Sequence, residues 1–176
     1  MTGLCTVVPP RKRKDIRLLA QQLRAAIQWT EPRFPIVEFM EAYHQIEPEF
    51  VYDIREVDEM GDDHGLTFPD AKLMLIREDI YERACDGHGR DRLTIAHEFG
   101  HLLMHTGLGY ARKELTGNIP CYCSSEWQAN CFGGELLISA EHIHLCESPL
   151  DASELFGVSL EAAEYQWVKF GQAGLV

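Results

Sequence analysis

Apolar positions along this chain recur with two periods, and the switches between them mark out its elements. After Pro9 and Pro10, residues Ile16, Leu19, Leu23, Ala26 and Ile27 fall on one stripe of a helix predicted over roughly 12–29. Pro35 can open a second, short helix to about Tyr43, with Ile36, Phe39, Met40 and Tyr43 turned inward. The period then drops to two. In FVYDIREV, 50–57, Phe50, Tyr52 and Ile54 alternate with Asp53 and Arg55, the pattern of a half-buried strand. A short strand is expected at 65–68 within the turn-rich GDDHGLTFPD, and AKLMLIRED predicts another near 72–77. DIYERACDG predicts one or two helical turns and then a loop.

The densest apolar pattern follows. Leu93, Ile95, Ala96, Phe99, Leu102 and Leu103 predict a buried helix of about four turns, with Asp91 as its candidate N-cap and Gly107 and Gly109 marking its end. Beyond a loop at 107–123, Ser125 and Gln128 have the spacing of a capping box, which would start another helix. Trp127 or Ala129, Phe132, Leu136 and Leu137 supply its apolar side. The tail, DASELFGVSLEAAEYQWVKFG, predicts two short helices broken at Gly157, with Ser159 as a cap.

Composition narrows the class. A chain of 176 residues that is 45% hydrophobic can bury a real core, and its size predicts one domain over 1–176. No apolar run approaches membrane-spanning length and the N-terminus has no secretory apolar region, which points to the cytoplasm. In that compartment Cys5, Cys85, Cys121, Cys123, Cys131 and Cys146 are expected as free thiols. The net charge of −12 is uneven. Arg11, Lys12, Arg13, Lys14, Arg17 and Arg24 face Asp15 alone in the first 24 residues, so the remainder is more acidic than the total. An acidic body argues against direct nucleic-acid binding. The RKRK cluster reads as a solvated helix start, with an acidic partner surface as the other use.

The candidate chemistry lies on the densest helix, in His97-Glu98-Phe99-Gly100-His101. Histidines four apart on a helix share a face and can bind one metal ion, and the glutamate beside them is placed to act on a water. Such a run arises by chance in roughly a few percent of chains of this composition. Here two imidazoles and a carboxylate crowd an otherwise apolar helix, where burying them without a purpose is costly. A catalytic zinc takes three protein ligands and leaves a position open. The extended pattern with glycine at 104 and histidine at 107 is excluded, because the chain has Met104 and Gly107. A glutamate from elsewhere is the other route, and Glu114, Glu126 and Glu135 are the candidates. Glu114 falls in a glycine-flanked loop, a poor platform. Glu135 lies on a different face from Glu126. Glu126 has Asn130 one turn on, placed to hydrogen-bond a ligand histidine. It could equally be an exposed acid favoured by the helix dipole, and spacing alone leaves that open.

The runs IREDIYERACDGHGRDRLTIAHEFGHLLMH and EWQANCFGGELL resemble the ImmA/IrrE family of metallo-endopeptidases. In that family a strand, a GRxRFTxAHExGH helix and an ExxANxFAxxLL helix recur in this order. The resemblance spans roughly 8–140 and is most specific over 76–137, leaving 141–176 as a C-terminal helical segment. It implies a zincin-like α+β fold, here a small antiparallel sheet of about three strands packed on helices that include the HExxH helix. It implies Zn2+ held by His97, His101 and Glu126, with Glu98 as catalytic base. Relatives are typically encoded on phages and mobile elements or in stress operons, where they cleave, or promote cleavage of, helix-turn-helix repressors. Many follow the leucine pair with Met-Pro; this chain has Ile138-Ser139, which alters the helix exit.

The function this implies is a zinc-dependent endopeptidase acting on an Xre-like repressor. The alternative is a non-proteolytic, zinc-containing regulatory or toxin–antitoxin component that binds the repressor. Structural zinc sites are normally closed by four protein ligands, so three ligands plus a glutamate base favour chemistry. His105, Tyr110 and Tyr122 are the options for an oxyanion donor, with His105 better suited to support a ligand or the core. Cys121, Cys123 and Cys131 lack a fourth partner at a recognised spacing for a second metal. LFGVSLEAAEYQW faintly resembles a helix-turn-helix fragment but carries no Lys or Arg, which weighs against DNA reading.

Overall fold

The computed structural model describes residues 6–108 and 120–176. Its elements follow the hydrophobic pattern closely. Helix α1 spans Arg13–Ala26 and α2 spans Ile36–Ala42, extended by a 3-10 turn at Tyr43–Gln45. Strand β1 is Val51–Arg55, the short helix α3 is Val57–Met60, β2 is Gly65–Phe68 and β3 is Leu73–Arg77. Helix α4 covers Glu78–Cys85 and α5 covers Gly89–Met104. Helix α6 is Ser125–Leu137, α7 is Pro149–Phe156 and α8 is Leu160–Gln172. Among these residues no helix is long and apolar enough to cross a membrane.

The fold is α+β with a three-stranded sheet in the order β1-β3-β2, but the sheet is mixed rather than antiparallel. β2 pairs antiparallel with β3, whereas β1 runs parallel to it, Val51 opposite Leu73. The short connection through α3 carries the chain from one edge to the other and leaves the centre free. β3 takes it because Met74 and Ile76 are fully buried, the most apolar face of the three strands.

α5 is the spine of the molecule. Phe99, between the two halves of the HExxH run, packs its ring against Phe39 at 5.0 Å, Tyr43 at 5.2 Å and Phe50 at 6.0 Å. Those rings come from α2, the 3-10 turn after it and the residue before β1, so the core anchors one face of α5 and leaves the histidine face to α6. Truncating such a buried aromatic typically costs about 3–5 kcal/mol, which measures how firmly the helix is seated.

The helix starts differ from expectation at two caps. The N-cap of α5 is His88, and Asp91 sits inside its first turn, where Arg83 Nε and NH2 donate to its carboxylate at 2.9 and 3.1 Å. The N-cap of α6 is Ser124, whose Oγ accepts from Trp127 N at 3.1 Å. That shift of one residue removes the Ser125–Gln128 capping box. Ser125 Oγ instead accepts from Thr6 N at 3.1 Å, because an extended N-terminal segment docks against 122–125. Gly157 and Ser159 separate α7 from α8 as the pattern predicts, with Ser159 Oγ capping Ala162 N at 3.2 Å.

Candidate metal centre

The i, i+4 spacing on α5 brings the His97 and His101 rings to 4.7 Å between centroids, with their Nε2 atoms 3.0 Å apart. α6 delivers Glu126 from its first turn. Its Oε2 lies 3.4 Å from His97 Nε2 and its Oε1 3.3 Å from His101 Nε2. One ligand atom from each of the three falls within 4.8 Å of the others, and among the described residues no other group of three His, Cys, Asp or Glu side chains does so. Small residues allow this approach. A Cβ on Gly100 would stand 2.8 Å from Ala129 Cα, so only glycine lets the two helix backbones come this close.

Asn130, one turn beyond Glu126, places Oδ1 3.0 Å from His97 Nδ1. With Nδ1–H donating to that oxygen, His97 Nε2 is a bare lone pair. It faces a second ring nitrogen and a carboxylate, so the donors converge on one point, the arrangement that a divalent cation stabilises. Two imidazoles and one carboxylate are a donor set suited to zinc. Burial by itself would raise the Glu126 pKa. The neighbouring His101 and His97 outweigh it and hold the group below the ordinary carboxylate range.

Glu98 is not one of the three and is only 5% exposed. Thr67 Oγ1, from β2, donates to its Oε2 at 2.7 Å. Gly65 packs over it, and a Cβ there would stand 2.7 Å from Glu98 Cγ. Burial raises the Glu98 pKa, opposed by His97, His101 and the Thr67 hydrogen bond. A buried carboxylate with a raised pKa, beside a cluster that could bind a metal, is suited to take up and return a proton.

A family model described as the IrrE N-terminal-like domain, Peptidase_M78, matches residues 50–168. The chain belongs to that family. No curated protein matches it. The matched span includes the whole sheet, α5 and α6, and therefore every residue of the cluster. Membership of Peptidase_M78 makes this a domain of a metallopeptidase family, and the His97–His101–Glu126 cluster could bind a metal.

The remaining candidates fall into place around this Peptidase_M78 site. Glu135 is 2% exposed and turned away from the cluster, where it accepts from Arg13 at 3.1 Å and Arg17 at 2.7 Å. One of the four residues of the basic RKRK run, Arg13, is thus engaged internally as part of that clamp. Glu114 and Tyr110 lie outside the described residues. Tyr122 sits on a short 3-10 helix, Cys121–Cys123, with its side chain exposed. Cys121 and Cys123 flank it as free thiols, and Cys131 is buried in α6 with burial pushing its thiol up to about 12. His105 Nδ1 lies 3.0 Å from His101 Nδ1, so its place is behind a cluster histidine. Burial and then the neighbouring His101 push its pKa down to about 4. Three residues escaped the sequence reading: Gly65 and Thr67 over Glu98, and Gln128 behind His105. A strand of alternating pattern identifies Gly65 and Thr67 only as half-buried, and the capping-box spacing of Gln128 pointed to a different role.

Proposed function

We propose that this domain is a zinc-dependent endopeptidase acting in the cytoplasm on a protein substrate, a helix-turn-helix (Xre-like) repressor, and so controlling phage, mobile-element or stress genes. The observation that carries the reading is the convergence of His97, His101 and Glu126 next to the buried Glu98. His97 and His101 would hold Zn2+ through Nε2 and Glu126 through a carboxylate oxygen, a set of three that leaves a position open. Zinc bound there would supply Lewis-acid polarisation of the scissile carbonyl and lower the pKa of water towards about 7. Glu98 takes the attacking water's proton on Oε1, since Oε2 is engaged by Thr67, and returns it to the leaving amine nitrogen. Asn130 keeps the His97 ring turned to the site. The repressor as substrate rests on the resemblance of the α5 and α6 sequences to the ImmA/IrrE endopeptidases.

The test combines metal analysis with product mass spectrometry on the cognate repressor. Wild type is expected to hold about one zinc per chain and His97→Ala to lose it. Glu98→Gln is expected to keep the metal while cleavage falls by about 10²–10⁴-fold. Absence of zinc in wild type, or full proteolysis by Glu98→Gln, refutes the reading. A zinc-loaded chain that binds the repressor and leaves it intact would establish the non-proteolytic alternative.

A further inference from the structure

Behind His101 runs a chain of hydrogen bonds with only one consistent direction. Gln128, on α6, is fully buried. Its Nε2 lies 2.8 Å from the backbone oxygen of Pro9 and 2.8 Å from that of Tyr122. Both are acceptors, so this end of the carboxamide must be the NH2; flipping it would set a carbonyl oxygen against two others. Oε1 therefore faces His105, 3.3 Å from its Nε2. An acceptor there requires His105 to carry its proton on Nε2, which leaves His105 Nδ1 as a lone pair. That lone pair lies 3.0 Å from His101 Nδ1, which must then be the donor. With its proton on Nδ1, His101 has a bare Nε2, the atom that faces His97 and Glu126.

We propose that Gln128 is a positioning residue of the metal centre, setting the tautomer and ring plane of His101 through His105. The anchor of this relay is the N-terminal segment. Val8 N donates to Cys123 O at 2.9 Å, Arg11 N to Tyr122 O at 3.0 Å, and Ser125 N to Thr6 O at 3.0 Å. These bonds hold the Pro9 and Tyr122 carbonyls where Gln128 needs them. Residues 6–11 lie outside the span 50–168 matched by Peptidase_M78. The contrast with His97 is one of burial: its partner Asn130 is exposed, whereas Gln128 is fully buried. The relay also explains a buried histidine and a buried glutamine that the catalytic reading leaves unused.

The inference rests on the metal site proposed above, and its test separates the two. Long-range 1H–15N correlation spectra of the full chain, metal-free and zinc-loaded at about pH 8, report which ring nitrogen of each histidine bears the proton. The expected pattern is His101 protonated on Nδ1 and His105 on Nε2 in both states. In Gln128→Met, of similar volume but without the amide, His105 is expected to lose its single tautomer. Zinc affinity, measured by chelator competition, is expected to weaken by about 10–100-fold, and the visible band of the cobalt-substituted chain to shift. His105 protonated on Nδ1 in wild type overturns the proposal, as does a folded Gln128→Met with unchanged zinc affinity. If Gln128→Met does not fold, the wild-type tautomers decide. If wild type takes up no zinc, the endopeptidase reading falls while the metal-free spectra still decide the relay.

Discussion

Thr67 shows how much a single side chain can carry. Its hydroxyl donates to Oε2 of the buried Glu98 at 2.7 Å. A hydrogen bond to a charged group contributes about 1.5–3 kcal/mol, and it favours the ionised form. Removing it in Thr67→Val lets burial act with less opposition, so the Glu98 pKa rises further. A base with a higher pKa is ionised only at higher pH. The acidic limb of the kcat/KM profile is therefore expected to move to higher pH. Zinc affinity is expected to stay unchanged, because Thr67 does not touch His97, His101 or Glu126. A profile that stays in place in a folded, zinc-replete variant would remove Thr67 from the machinery. No local pattern announces such a contact; it joins residues 31 positions apart.

At the scale of elements, the decisive contact is α5 against α6. Gly100 and Ala129 let the backbones approach, and the approach sets the distance from Glu126 to the two histidines. Gly100→Ala places a methyl 2.8 Å from Ala129 Cα, and the obstacle is backbone, which cannot rotate away. Overpacking of this kind costs about 1–3 kcal/mol. Helix propensity recovers under 1 kcal/mol of that, since alanine is the better helix former. The expected outcome is a net loss of stability in urea denaturation together with weaker zinc binding, because Glu126 is carried away from the rings. A variant that gains stability and keeps its zinc affinity would show that the helices have room to spare. The helices themselves were legible in the sequence, as was the shared face of His97 and His101. Their caps were not: Ser124 and Ser125 are adjacent serines, and an extended segment from residue 6 onwards decides which of them starts α6.

Across the whole molecule, charged networks tie distant elements to the spine. Arg77 at the end of β3 donates to Asp79 at 2.6 Å, Arg83 of α4 donates to the same carboxylate at 2.8 Å, and Arg83 reaches on to Asp91 in the first turn of α5. Arg77, and after it Arg83, hold the Asp79 pKa down to about 2, against an ordinary value of 3.8. A depressed carboxylate contributes stability that is present above its unfolded pKa and lost as pH falls through the folded one. The window is thus between about pH 4 and 2. Solvent screening of this half-buried group limits the contribution to about 1 kcal/mol. Asp79→Asn is expected to be less stable than wild type at pH 6, with the difference shrinking as pH falls through that window and gone below it. Denaturation midpoints at a series of pH values check this, and a difference that persists at the acidic end would assign it to packing.

Periodicity and spacing by themselves determined the longer helices, the three strands and the pairing of His97 with His101 on one face. All of these depend on residues within a turn or a few positions of one another, where backbone geometry leaves few choices. Only the tertiary structure decided that β1 runs parallel to β3. It also decided that Glu126 meets the histidines while Glu135 is clamped by Arg13 and Arg17, and that Gln128 joins the N-terminal segment to His101. Glu126 and Glu135 sit on one helix, in its first turn and near its end. Which of them faces α5 follows from how two helices pack, and that is set by close contacts such as Gly100 on Ala129, between residues that local patterns cannot relate.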